Sequence, residues 1–152
     1  METTENMGLI HADMELIRGA DLVLWQEGYL AQDKIKKIKV KMLVDTGAYM
    51  LAINENIRSQ LDLKTVDQQV AELADGTKVK LDLVGPVEVR FANRRTSVDA
   101  MVLPGDAEPL LGAIPLEGLD VVLDPANQTI KVNPDSPNYA KKPLKRMQLT
   151  NT

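Results

Sequence analysis

The chain has 152 residues, a formal net charge of −4, one histidine and no cysteine. The lack of cysteine excludes disulfides, thiolate metal sites and a cysteine nucleophile, and one histidine cannot form a zinc site of several histidines. A mildly acidic chain implies no broad basic surface, which argues against nucleic acid as the main partner. No apolar run reaches the ~18 residues of a membrane span, and the polar N-terminus is unlike a signal peptide. We therefore expect one cytoplasmic domain without a metal or a membrane partner.

The first third of the chain predicts two strands. Apolar and polar residues alternate over residues 8–17, which indicates a half-buried strand, and residues 18–21 are typical of a turn. Residues 22–30 fit either a strand or a short helix. A second alternating strand, residues 38–44, ends directly before Asp45.

The middle of the chain predicts a short helix followed by a β-hairpin. Asn54 is a suitable N-cap for a helix with apolar residues on one face. Two alternating runs, residues 66–73 and 77–84, flank Asp75-Gly76, and an Asp-Gly pair between such runs is a strong hairpin signal. Gly85-Pro86 follows and is expected to break the chain.

The remaining elements are short and regularly spaced. They are strands over residues 87–91 and 96–102, an apolar segment at 110–112, one or two helical turns at 115–119, and a hairpin of residues 121–123 and 129–132. This spacing predicts a mainly β fold, small, closed and β-barrel-like, with one or two short helices. We expect a disordered stretch at residues 1–6, one domain over residues 7–133, and a loose tail, rich in proline and lysine, over residues 134–152.

The residues around Asp45 are the strongest candidates for chemistry. Asp45 follows the apolar run Met42-Leu43-Val44 and precedes Thr46, Gly47 and Ala48. A carboxylate at the mouth of a strand-to-loop turn can lie in a water-poor position and still face a ligand, as acid/base catalysis requires. Gly47 allows a tight bend and the close approach of another chain. The alternative is an aspartate that only caps its own turn.

The order of three motifs resembles that of a known family. Asp45-Thr46-Gly47-Ala48 resembles the signature of aspartic proteases. Leu73-Ala74-Asp75-Gly76-Thr77 lies where such proteases carry a flap hairpin, and Leu110-Leu111-Gly112 resembles their psi-loop element. Over residues 36–133 the chain resembles the single-lobe, retroviral-type (retropepsin-like) aspartic protease family, and within it the cellular bacterial members.

The resemblance implies a single-lobe acid protease fold and an aspartic endopeptidase activity on a polypeptide substrate. In this class a water held between two carboxylates is activated without a metal or an organic cofactor. The chain offers only Asp45 for this role, so the second carboxylate would come from Asp45 of a partner in a homodimer. The alternative is a non-catalytic dimeric β-domain of the same fold that binds peptides or a partner protein.

The resemblance also assigns roles to individual residues. The catalytic group would comprise Asp45 of both protomers, Thr46 and Gly47. Ala48 and the flap would bind substrate, and the flap residues are Leu73, Ala74, Asp75, Gly76 and Thr77. The psi-loop residues would support the catalytic loop without taking part in the chemistry, and they are Leu110, Leu111 and Gly112. Ala113 stands where viral members carry an arginine that contacts the partner, so the dimer need not be built as theirs is.

Overall fold

The computed structural model describes residues 9–144, which contain nine strands and three α-helices. The strands are β1 (His11–Arg18), β2 (Lys37–Val44), β3 (Leu51–Asn54), β4 (Thr65–Glu72), β5 (Lys78–Phe91), β6 (Arg94–Leu103), β7 (Leu110–Leu111), β8 (Val121–Asp124) and β9 (Thr129–Val132). The helices are α1 (Gly19–Gln26), α2 (Glu55–Gln60) and α3 (Ala113–Leu119). The mainly β fold with few short helices is therefore confirmed, with one helix more than expected.

Two of the predicted segments lie partly or wholly outside the described residues. These are the disordered stretch at residues 1–6 and the end of the tail at residues 145–152. The division of the chain into these parts stays a prediction.

Six strands form a closed ring in the order β1, β2, β7, β3, β6 and β5, and β5 pairs back with β1. Closure pairs each of these strands on both sides, which protects strand edges from other chains. Alternate residues of the strands point inward and form the apolar core, including Met14, Leu16, Met42, Ile53 and Val87. Strand β4 pairs with β5 and extends the sheet beyond the ring.

The predicted hairpin is confirmed as β4 and β5. The N–H of Leu73 donates to the carbonyl of Thr77 at 2.7 Å, and the N–H of Gly76 donates to the carbonyl of Leu73 at 2.9 Å. Gly76 has a φ of 86°, which a glycine adopts without strain. Because β5 also pairs with β6 in the ring, the base of the hairpin is fixed while its tip projects from the body.

The turn predicted at residues 18–21 is wrong, because α1 begins at Gly19. Buried Asp21 accepts hydrogen bonds from Arg18 Nη1 at 2.5 Å and from the N–H of Lys36 at 2.9 Å. These bonds fasten the helix to the connection that leads into β2. The ambiguous segment at residues 22–30 is therefore helical in its first part, although most of its large apolar side chains remain exposed.

The break predicted at Gly85-Pro86 is also wrong, since β5 runs through it from Lys78 to Phe91. The two residues lie in an irregularity where the register with β6 shifts between Val84 and Val87. A strand can accommodate such residues at a bulge, which bends the strand instead of ending it. The bend allows the first half of β5 to pair with β4 and the second half with β1.

Residues 134–144 contain no helix or strand, but part of this segment is bound to the body. Asp120 holds it through Oδ2, which accepts from Ser136 Oγ at 2.5 Å and from the N–H of Lys141 at 2.8 Å. Just before the segment, Asn133 Nδ2 donates to Oδ1 of Asp120 at 3.0 Å. Buried Arg94 donates to the carbonyl of Ser136.

Acid is expected to weaken this attachment. The hydrogen bond from Ser136, then those from Asn133 and Lys141, hold the pKa of Asp120 far below its usual range. A carboxylate with a lowered folded-state pKa stabilises the fold above its unfolded pKa of about 4, and this stability is lost as the pH falls further. Asp120→Asn tests this, because asparagine tolerates the left-handed backbone (φ of 54°) found there.

We expect urea unfolding to show wild type as more stable than Asp120→Asn at about pH 5, with the difference shrinking towards about pH 2. A stability difference that stays the same at both pH values would contradict the role given to the Asp120 carboxylate.

Candidate active site

Asp45 directly follows β2, in a tight loop that is closed by hydrogen bonds among residues 45–48. The Asp45 N–H donates to the carbonyl of Leu111 at 3.0 Å, and the N–H of Ala48 donates to the carbonyl of Asp45 at 3.1 Å. Oδ1 of Asp45 accepts from the N–H of Gly47 at 3.0 Å. The half-buried carboxylate thus uses one oxygen to cap the turn, and within residues 9–144 its Oδ2 has no hydrogen-bond donor. The capping and catalytic interpretations are therefore compatible.

Strand β7 supports this loop by lying between β2 and β3. Leu111 pairs in parallel with Val44 and antiparallel with Leu51. The chain then leaves β7 through Gly112, and the N–H of Ala113 donates to the carbonyl of Ala48 at 2.8 Å. The loop that holds Asp45 is therefore bonded to the β7 segment at both of its ends.

The backbone at Gly112 passes so close to the Asp45 loop that no side chain fits between them. A Cβ at this position would lie 2.7 Å from the carbonyl carbon of Tyr49 and 2.8 Å from the carbonyl oxygen of Ala48, and closer still to the carbonyl oxygen of Met50. All three are backbone atoms, which cannot rotate away. Only glycine lets the β7 segment pass directly under the Asp45 loop.

An open groove of about 660 Å³ separates the Asp45 loop from the β4–β5 hairpin. The loop side consists of Asp45, Gly47, Ala48, Tyr49 and Met50, and the hairpin side consists of Gln69, Val70, Ala71, Glu72, Leu73 and Ala74. Apolar side chains from β3, β6 and β7 complete the lining. An extended peptide could lie between hairpin and loop, with its backbone beside the carboxylate.

The structure brings together part of the predicted site. Six of the predicted residues line the groove: Asp45, Gly47, Ala48, Leu73, Ala74 and Leu110. Asp75, Gly76 and Thr77 form the hairpin turn and are not part of the lining. Thr46 is exposed and lines a different cavity, and Leu111 and Gly112 are buried beneath the loop. The catalytic and binding roles of all these residues stay predictions.

Sequence reasoning missed residues on two walls of the groove. Gln69, Val70 and Ala71 come from β4, while Met101 and Leu103 come from β6. Val70 is an apolar residue that is 65% exposed, in a strand exposed along most of its length, but this exposure is a property of the structure and leaves no signal in the sequence. No local signal exists for the second set, because it depends on the parallel pairing of β6 with β3.

In residues 9–144, no group of three or more histidine, aspartate or glutamate side chains could hold a metal ion. None of the helices in this range is long and apolar enough to cross a bilayer.

The sequence profile of the gag-polyprotein putative aspartyl protease family matches residues 31–117, more than half of the chain. The chain belongs to this family. The matched range contains the Asp45 loop, the hairpin and β7, so all three motifs of this aspartyl protease family member lie within it. The resemblance to retropepsin-like aspartic proteases is thereby confirmed.

Two solved structures are similar to this member of the aspartyl protease family. One is the retroviral protease-like domain of Ddi1 from Leishmania major, with 16% identity and a TM-score of 0.47 over 64% of this chain and 81% of that chain. The other is a retropepsin-like aspartic protease from Rickettsia conorii, with 18% identity and a TM-score of 0.39 over 72% of this chain and 80% of that chain. No curated protein matches the chain.

Proposed function

We propose that the chain is an aspartic endopeptidase in which Asp45 residues from two copies form one catalytic dyad. The observation that carries the proposal is the position of Asp45, at the end of β2 and in the groove beneath the hairpin. Its half-buried carboxylate is held by the turn through one oxygen. The membership of the chain in an aspartyl protease family supports the same chemistry.

The mechanism needs two carboxylates with different protonation states. One ionised Asp45 takes a proton from a bound water, while the protonated Asp45 of the other copy donates a proton to the carbonyl oxygen of the substrate. Two carboxyl groups at close range cannot both ionise cheaply, so they share one proton and titrate as a pair. The hydroxide so formed adds to the carbonyl carbon, which gives a tetrahedral gem-diol intermediate. The Asp45 that took the proton then passes it to the amide nitrogen, the C–N bond breaks, and the other Asp45 recovers its proton from a hydroxyl of the intermediate.

A second copy is the simplest source of the second carboxylate. The sequence contains a single Asp-Thr-Gly motif, and a two-fold axis would bring identical loops together. The exposed Thr46 at the tip of the loop would then face its counterpart, where it could brace the two loops. The homodimer is thus part of the proposal.

The groove supports a polypeptide as the substrate. An extended peptide backbone could bind along the hairpin, and the apolar lining would receive side chains next to the scissile bond. The projecting tip of the hairpin could close over the peptide and exclude water from the dyad. Substrate binding by the hairpin residues Leu73 and Ala74 follows from this arrangement.

The experiment is digestion of a diverse peptide mixture at about pH 4 to 7, with the products identified by mass spectrometry. We expect cleavage whose rate per protomer rises with protein concentration, because active sites form only in dimers. No cleavage at concentrations where sedimentation shows a dimer would instead favour the non-catalytic, peptide-binding alternative. Equal rates per protomer in the monomeric range would contradict the two-copy site.

A further inference from the structure

A second cavity, of about 540 Å³, lies next to Thr46 of the Asp45 loop. One side is formed by Thr46 together with Leu116 of α3, and β8 contributes Val121 and Leu123. Residues 141–143 of the C-terminal segment also line the cavity. The face beside the catalytic loop is therefore mainly apolar and is partly covered by the chain's own C-terminal residues.

The covering residues belong to a segment that we call the C-terminal strap, defined as residues 134–143. The strap has a firm anchor in Ser136, which is buried, donates to Asp120 and accepts from Arg94. Asn93 Nδ2 adds bonds to two further carbonyls of the anchor region at 3.0 and 3.2 Å.

The end of the strap is held less firmly than its anchor. Its contacts are the N–H of Lys141 on Asp120 at 2.8 Å and Lys142 Nζ on the carbonyl of Gly118 at 2.7 Å. Residues 141–143 are exposed, and hydrogen bonds at exposed positions compete with water. The end of the strap can therefore detach while Ser136 stays in place.

The face beneath the strap is where a second copy would have to dock. Asp45 precedes Thr46 directly, so two Asp45 carboxylates can meet only if the two Thr46 loops also face each other. Within the described residues, β8 and β9 pair only with each other, which leaves an edge open next to this cavity. An open strand edge favours pairing with another chain.

We propose that the C-terminal strap competes with a second copy of the chain for this face, so that its release permits dimerisation and completes the site of Asp45. This inference rests on the proposed function, because only a site built from two copies needs the face beside Thr46. The partner is a second copy of this chain, and the device is autoinhibitory.

The test compares the full chain with a chain that ends at Tyr139. This truncation removes Lys141–Pro143 but keeps Ser136 under the buried Arg94. Sedimentation velocity over a concentration series measures dimerisation without reference to activity. We expect the truncated chain to dimerise at a concentration at least about tenfold lower than that needed by the full chain, which corresponds to a decrease of one decade in Kd.

A control with reduced positive charge separates covering from electrostatics. The truncation also removes four basic residues. The control is a full-length chain that keeps Lys142, whose Nζ bonds the strap to Gly118, and in which the other three become glutamine: Lys141, Lys145 and Arg146. We expect this variant to dimerise nearly as the full chain does. An unchanged or weaker dimer in the truncated chain, or equal gains in the truncated chain and the control, would overturn the proposal.

Cooperative unfolding and peptide cleavage are measured separately from dimerisation. If the truncated chain fails to unfold cooperatively, full-length Lys141→Pro provides the same test, since proline removes the N–H that donates to Asp120. A tighter dimer that cleaves no peptide supports the strap and counts against the dyad. Cleavage by the full chain without any gain on truncation supports the dyad and counts against the strap.

Discussion

Asp45→Asn is expected to lose peptide cleavage almost completely while keeping the fold. The amide oxygen of asparagine can still accept the hydrogen bond from the N–H of Gly47, so the turn stays closed. The variant cannot act as the base or carry the shared proton, and loss of such a group costs about 10²- to 10⁴-fold in rate. The measurement is kcat/KM on a peptide identified from the mixture, together with the thermal unfolding midpoint.

Asp33→Asn is the matched control for Asp45→Asn. Asp33 is exposed in the short helical turn Gln32–Lys34, before the start of β2, whereas Asp45 follows the end of the same strand. The two variants have the same change of charge and volume. We expect Asp33→Asn to cleave peptides at the wild-type rate. Equal activity in the two variants would remove Asp45 from the chemistry.

Gly112→Ala is expected to lose more stability than the other variants proposed for this chain, because its methyl group would overlap three backbone groups of the Asp45 loop. The φ and ψ of Gly112 (−88° and −174°) are accessible to alanine, so the cost is steric overlap and not backbone strain. Overpacking against atoms that cannot move aside should lower the free energy of unfolding by about 2–4 kcal/mol. The fraction of the Gly112→Ala variant that still folds should have a displaced Asp45 loop and should cleave peptides more slowly than wild type.

Gly47→Ala is the corresponding control within the same loop. A Cβ there would meet only Oδ1 of Asp45, at 3.3 Å, which is a side-chain atom that can shift slightly. We expect urea unfolding to show a loss below about 1 kcal/mol for this variant. If Gly112→Ala were as stable as Gly47→Ala, the close packing of β7 under the loop would not be essential.

Features that depend on neighbouring residues were predictable from the sequence. The alternation of apolar and polar residues predicted β1 and β2, and Asp75-Gly76 predicted the hairpin, because a few consecutive residues determine strand faces and tight turns. The predicted N-cap is confirmed as well, since Asn54 Oδ1 accepts from the N–H of Ile57 at 3.0 Å. The Asp45 motif was recognisable because its residues are contiguous.

Features that depend on distant contacts were not predictable. Helix α1 buries Gly19 and Asp21 and exposes Val23, Leu24 and Trp25, which reverses the usual amphipathic pattern. Met101 enters the groove only because β6 pairs with β3. The composition of the tail likewise gave no sign that Asp120 would hold it, because hydrogen bonds between segments leave no periodic signal.

The two-copy dyad is tested most directly by mixing wild-type protein with Asp45→Asn at a fixed total concentration at which dimers form. After subunit exchange, only dimers with two wild-type copies have both carboxylates. The proposal predicts that activity follows the square of the wild-type fraction, so an equal mixture retains about one quarter of the wild-type rate. A linear decline, with about one half of the rate remaining, would mean that each copy works with its own Asp45 alone and would contradict the shared site.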